Sequence, residues 1–352
     1  VFYLPFLYQD YIKGRWVYQT KQLHQKYGPI VRIGPNHIMV DGEIGWPQVY
    51  GRRKANQSEY EKLPAVHKAN AHSIIDATRD IHRRQRRQLN HAFSDFSLTQ
   101  QEHTIQRYIG MLLSRLQAHA EKSEAVDMVH WLNCTSFDII SDLTLSQSLS
   151  NLDSSVVHPW IKTMFDSVRN IMFRRFFAEF PLLRLILSMF SSKFGTDQHD
   201  VRNQVKDMVH QRMALGVEPG GRKDFMSYMM RKTKDGEIGM LQAEIFETTP
   251  TVIVAGSETT ASALSGLWFY LDKHPRARDE LTREIRAAFD SEEDITMQKA
   301  GNLEYLQACI NEVLRIYPPA AETPARVSPG DFIEGIYIPP GVSQGHSLPF
   351  PL

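Results

Sequence analysis

Residues Ala255-Gly256-Ser257-Glu258-Thr259-Thr260 set an acid and a hydroxyl inside a long apolar helical pattern, behind two small residues. Neither polar group has an obvious packing role there. At helical spacing Ala255 shares a face with Glu258 and Thr259, three and four residues on. An acid beside a hydroxyl can form a proton relay, and a positioned donor speeds a proton-limited step by roughly a hundredfold or more. The plainer alternative is a buried helix whose threonine bonds back to its own carbonyls.

Two further groupings stand out. Glu312 and Arg315 are three apart on another helix, ahead of Tyr317-Pro318-Pro319. Alone such a pair reads as a solvent-exposed ion pair of well under about 1 kcal/mol. His82 and Arg86 are four apart in a run that also holds Arg83, Arg84 and Arg87. Arginine's fork can grip a carboxylate bidentately. A solvated basic face and a nucleic-acid patch compete with that use. No aromatic interleaving or known binding motif supports the latter, so no nucleic-acid partner is expected.

The elements that must position these groups are mostly helical. Apolar residues recur at helical spacing from 71 to 275, with Ile105, Ile109, Leu112, Leu113 and Leu116 forming one expected apolar face and Phe137, Ile140 and Leu143 another. The small-acid-hydroxyl segment lies in a helix expected over residues 243–272. His274-Pro275 ends it, because a residue before proline is pushed out of helical conformation. Pro250 should kink it one to two turns before Gly256. Further helices are expected over 278–289 and 303–317. Gly34-Pro35-Asn36 and Glu334-Gly335 punctuate short alternating runs, which predict two hairpins. Gly216 to Arg222 and Lys234-Asp235-Gly236 read as turns, and residues 171–190 as two short amphipathic pieces around Pro181.

The bulk properties exclude more than they select. Acidic and basic residues balance at 40 each, so no global field draws nucleic acid or an anionic surface. The two cysteines, Cys134 and Cys309, provide neither a zinc spacing nor a disulfide framework. No stretch reaches the ~18 uninterrupted apolar residues of a membrane span, so no transmembrane anchor is expected in these residues. The first five residues lack the features of a signal peptide.

Taken together, Ala255 to Thr260, Glu312-x-x-Arg315 with Tyr317-Pro318-Pro319, and His82-x-x-x-Arg86 resemble the cytochrome P450 family, the haem-thiolate monooxygenases. The resemblance runs from Tyr27-Gly28-Pro29 to Pro339-Pro340-Gly341. Ala92-Phe93-Ser94, Phe137-Asp138-Ile139-Ile140 and Asp224-Phe225-Met226-Ser227-Tyr228 look like the filamentous-fungal branch, similar to trichothecene-type hydroxylases. It implies a mainly α fold with a small β lobe, one domain over 1–352, with 27–42 and 325–341 in the lobe and 71–319 as helical body. It implies haem as cofactor, Thr259 as the oxygen-binding alcohol and Glu258 as the relay acid, with Ala255 and Gly256 forming a trough beside the macrocycle. His82, Arg86 and Arg326 become the propionate-binding candidates, with Arg83, Arg84 and Arg87 facing outward to an acidic electron donor. The implied reaction inserts oxygen into an apolar small molecule, a fungal secondary metabolite, with electrons from NADPH through NADPH-cytochrome P450 reductase. The implied setting is the cytosolic face of the endoplasmic reticulum membrane. Substrate contacts are implied near 62–75, 171–190 and 320–324.

Two departures shape the expectations. The family's glutamate–arginine pair clamps a third, downstream arginine that is absent here, which leaves Glu312 and Arg315 as an incomplete, costly buried network. The family's iron-ligating cysteine loop is also absent. Cys134 and Cys309 sit in apolar contexts unlike those that stabilise a thiolate, so these residues supply no metal ligand. Residues after Gly341 do not look like the strand that follows in relatives. The chain as given thus reads as truncated and inactive, with a catalytically dead remnant or gene-model fragment, able at most to bind an apolar ligand, as the other reading.

Overall fold

The computed structural model describes Tyr8 and residues 13–53, 57–62, 72–154, 196–232, 239–320 and 323–347. The expectations for residues 1–5, 171–190, 234–236 and 348–352, and for most of 62–71, lie outside the described residues. Two compact units result: residues 1–69, 165–197 and 320–352 form one, and 70–164 with 198–319 form the other.

The first unit carries a helix, α1 (Trp16–Tyr27), a short helix α2 (Gly42–Gly45), and a mixed sheet of strand order β1-β2-β7-β4-β3. Its strands are β1 (Ile30–Gly34), β2 (His37–Asp41), β3 (Glu61–Lys62), β4 (Arg326–Val327) and β7 (Ser343–Ser347). The expected first hairpin is β1–β2, antiparallel from Ile30 opposite Val40. The second is β5 (Asp331–Ile333) with β6 (Ile336–Ile338). Its two-residue turn holds Glu334 at φ 47° and Gly335 at φ 77°. Positive φ at both central positions matches the twist of the strands they join. Buried Ile38, Val40, Val49, Tyr60, Ile333 and Ile338 form this unit's core.

One expectation fails here. Residues beyond Gly341 do form a strand: β7 runs parallel to β2, with His37 opposite Ser343, and antiparallel to β4. Its sequence, Ser-Gln-Gly-His-Ser, has no apolar alternation to announce it. Strand order instead comes from backbone pairing on both sides, which satisfies its amides whatever the side chains.

The second unit is helical: α3 (Arg79–Asn90), α4 (Asp95–Glu121), α5 (Met128–Leu145), α6 (Asn151–Ser154), α7 (Thr196–Ala214, from Gln198 in this unit), α8 (Phe225–Met230), α9 (Gln242–Lys273), α10 (Pro275–Ala288), α11 (Met297–Gly301) and α12 (Glu304–Ile316). Helix α5 is buried almost all round, as a central helix must be. Helix α9 packs along it. Pro250 lies inside α9, which spans Gln242 to Lys273. On α4 the buried face is Gln101, Thr104, Tyr108 and Leu112, whereas Ile109 and Leu113 are exposed, so the expected apolar face is rotated. Tyr108 decides that rotation. Its hydroxyl donates to Asp142 of α5 at 2.8 Å, and Asp142 also accepts from Arg107 at 2.6 Å.

Charged side chains pin the loops. Arg212, 2 % exposed, donates to Asp224 through Nε at 2.5 Å and Nη2 at 2.8 Å, and to the Gly216 carbonyl at 2.6 Å. Asp224 also caps α8 by accepting from the Ser227 amide. Glu284 of α10 reaches the first amides of α12, at Tyr305 and Leu306. The residue before that helix, Leu303, offers no capping side chain of its own.

Candidate functional site

Helix α9 has two unlike stripes. Ile245, Thr249, Ile253, Ser257 and Ala261 recur every four residues and are buried. Ala255, Glu258 and Thr259 lie on the other side and are exposed. The Thr259 hydroxyl donates to the Ala255 carbonyl at 2.6 Å. Its hydrogen is therefore engaged, and the oxygen's lone pairs remain as acceptors. Glu258 reaches solvent, yet partial burial raises its carboxyl above the ordinary carboxylate range. Desolvation disfavours the charged form, so the group holds its proton to higher pH than a fully solvated carboxyl.

Gly256 has a role the sequence did not suggest. A Cβ there would lie 2.7 Å from Ile140 Cδ1 and 2.8 Å from Ile140 Cγ1. Its missing side chain lets α9 sit close against α5. Gly266 does the same one face along, where a Cβ would meet the Tyr317 ring at 2.7 Å and Val313 at 3.3 Å. A turn before Ala255, Thr251 Oγ1 stands 3.3 Å from Ser73 Oγ and draws the turn around residues 73–76 onto α9.

On α3 the basic run divides by face. His82 is half-buried, and Arg86 is exposed with no ion pair among the described residues. Arg83 and Arg87 are also exposed. Arg84 is a correction, because it turns the other way. It donates to Glu244 of α9 at 2.9 and 2.5 Å and to the Gly239 carbonyl at 2.5 Å. Gln88 joins α3 to α8 through the Tyr228 and Arg231 carbonyls at 2.7 and 2.9 Å. Arg326 lies in the first unit on β4, its guanidinium carbon 5.6 Å from the Tyr50 ring centre.

Glu312 and Arg315 form a bidentate pair at 2.7 and 2.6 Å, with side chains 55 % and 48 % exposed. The expectation of a buried, half-satisfied network is therefore corrected. Water solvates what the pair leaves unpaired, and Arg315 lowers the Glu312 carboxyl through its hydrogen bond. Neither cysteine suits an iron ligand. Burial, then Asp138, pushes the Cys134 thiol up to about 11, and burial with Glu284 raises Cys309. Among the described residues no cluster of His, Cys, Asp and Glu could hold a metal ion, and no helix is long and apolar enough to cross a membrane.

Haem carries carboxylates at its rim and is flat and apolar elsewhere. A free arginine on α3 suits the first, and a helix face opened by alanine suits the second. The donor chemistry of these residues therefore fits the rim and one face of the group, while the iron's thiolate ligand finds no candidate in Cys134 or Cys309.

A long helix bearing an acid–alcohol pair in a helical unit, with a small mixed sheet in a second unit, agrees with the class of haem-dependent monooxygenases. The family model described as Cytochrome P450 matches residues 2–344, and the chain belongs to that family. It is 37 % identical over 96 % of its length to Cytochrome P450 monooxygenase aclL of Aspergillus oryzae. It is 36 % identical over 94 % to Cytochrome P450 monooxygenase astJ of the same species, and 33 % over 90 % to Trichothecene C-15 hydroxylase of Fusarium sporotrichioides. The chain spans about two thirds of these relatives, at 69 %, 67 % and 65 % of their lengths. The match to residue 344 also carries the likeness past Gly341 and into β7.

Proposed function

We propose that these residues serve a monooxygenase that inserts one oxygen atom into an apolar small molecule, a fungal secondary metabolite, with electrons from NADPH through a reductase at the endoplasmic reticulum membrane. Relatives named as monooxygenases and a trichothecene hydroxylase support the substrate class. Haem, when bound, would supply the oxygen activation. His82 and Arg86 of α3 would hold its carboxylates, and Ala255 would leave room on α9.

The raised Glu258 carboxyl beside the Thr259 hydroxyl carries the proposal. Glu258 would pass a proton along the helix face. Thr259 Oγ1, with its own hydrogen on the Ala255 carbonyl, can accept one and release its own as that bond turns over. The pair would thus deliver protons at a fixed place on the helix face. The test compares Thr259→Ala with the parent protein in its haem-loaded form. Haem retention and reduction should persist while electrons divert from product to peroxide. Unchanged coupling of electrons to product removes Thr259 from the role.

A further inference from the structure

The Arg84–Glu244 pair is doing something that the basic run's other arginines are not. Glu244 is 1 % exposed at its side chain and sits in the first turn of α9, where it also accepts from the Leu241 amide at 2.8 Å. Arg84 fills its remaining acceptor positions bidentately and satisfies the Gly239 carbonyl with the same fork. Lysine, a point charge, could not make all three bonds at once. The link joins residues 160 apart in sequence and ties α3 to the start of the helix that bears Ala255, Glu258 and Thr259. Along α3, residues 82 and 86 share a face, and residue 84 points roughly opposite.

We propose that Arg84 is a positioning residue for the cofactor-facing side of α3. By clamping the back of α3 to Glu244 it fixes that helix's rotation, so that His82 and Arg86 are held toward the group they serve. A bidentate pair on a buried carboxylate suits this task, since the fork fixes geometry as well as charge. Gln88, one turn on and on the same face of α3, donates to the Tyr228 and Arg231 carbonyls and supports the same orientation from α8. The inference rests on the proposed cofactor role of His82 and Arg86.

The experiment is a double-mutant cycle read by haemin titration of the full chain, followed in the Soret band. Arg84→Gln and Arg86→Ala should each weaken haemin binding about tenfold, within the range by which groups in one network couple. The double variant should bind about as weakly as either single one, because Arg84 acts through Arg86. Arg84→Lys should not restore affinity. Should Arg84→Gln fail to fold, Glu244→Gln removes the same charge pair, keeps a polar side chain at that site, and should give the same coupling.

A role in stability alone would lower the melting temperature of Arg84→Gln yet leave haemin affinity of the folded protein unchanged, or make the two effects additive. Either result overturns the inference. If Arg86→Ala does not weaken haemin binding at all, the cofactor role of α3 itself fails, and the inference with it.

Discussion

Gly256→Ala separates two uses of the same glycine, room for a cofactor and room for a helix. The added Cβ would meet Ile140 Cδ1 at 2.7 Å and Cγ1 at 2.8 Å. Carbon atoms ordinarily sit ~3.5–4.0 Å apart, so Ile140 must yield by about 1 Å. Overpacking of this kind costs about 1–3 kcal/mol. Replacing a helical glycine by alanine recovers about 1 kcal/mol through propensity. The net expectation is a loss of about 1 kcal/mol in urea unfolding followed by far-UV circular dichroism. Ile140→Ala alone should cost about 2 kcal/mol, the low end for a side chain that is only half-buried. In that background the obstruction is gone, and only the propensity gain remains. Gly256→Ala should then stabilise the protein by about 1 kcal/mol. The reversal of sign is the test. If Gly256→Ala costs the same with and without the isoleucine side chain, or if it weakens haemin binding while leaving unfolding untouched, the packing account of Gly256 is wrong.

Arg212→Met should cost about 3–5 kcal/mol in the same assay, since it strands the buried Asp224 carboxylate, and a loss below about 1 kcal/mol would refute the account of that pair as a buried clamp. Cys134 tests the interior directly. Burial raises its folded-state pKa from 9.0 to about 11, so between those values the unfolded chain has lost a proton that the folded chain keeps. Stability relative to Cys134→Ala should therefore be constant below about pH 9 and fall as pH rises toward 11. Alkylation of native Cys134 with the onset of an ordinary exposed thiol would contradict it.

Where the chain carries its own punctuation, the sequence alone was enough. The apolar period up to His274-Pro275 predicts a helix over 243–272, and α9 covers Gln242 to Lys273. Pro318-Pro319 stop α12 at Ile316, and Glu334-Gly335 mark the β5–β6 turn. The acid–alcohol pair and the family it belongs to were also legible, because local spacing on one helix is all that they require. Tertiary structure decided which way side chains face. Ile109 and Leu113 fit an apolar stripe, yet the Tyr108–Asp142 bond turns α4 so that both are exposed. Arg84 is one arginine among four until Glu244, 160 residues later, claims it. Gly256 is small for the sake of Ile140, and Glu312 with Arg315 lies in solvent, not in a buried network. Residues 343–347 have no pattern of their own and become a strand because β2 and β4 offer backbone partners on either side. Periodicity and punctuation act within about one helical turn and can be read along the chain. Rotation, burial and charge pairing depend on residues far apart in sequence, and only the folded arrangement brings those together.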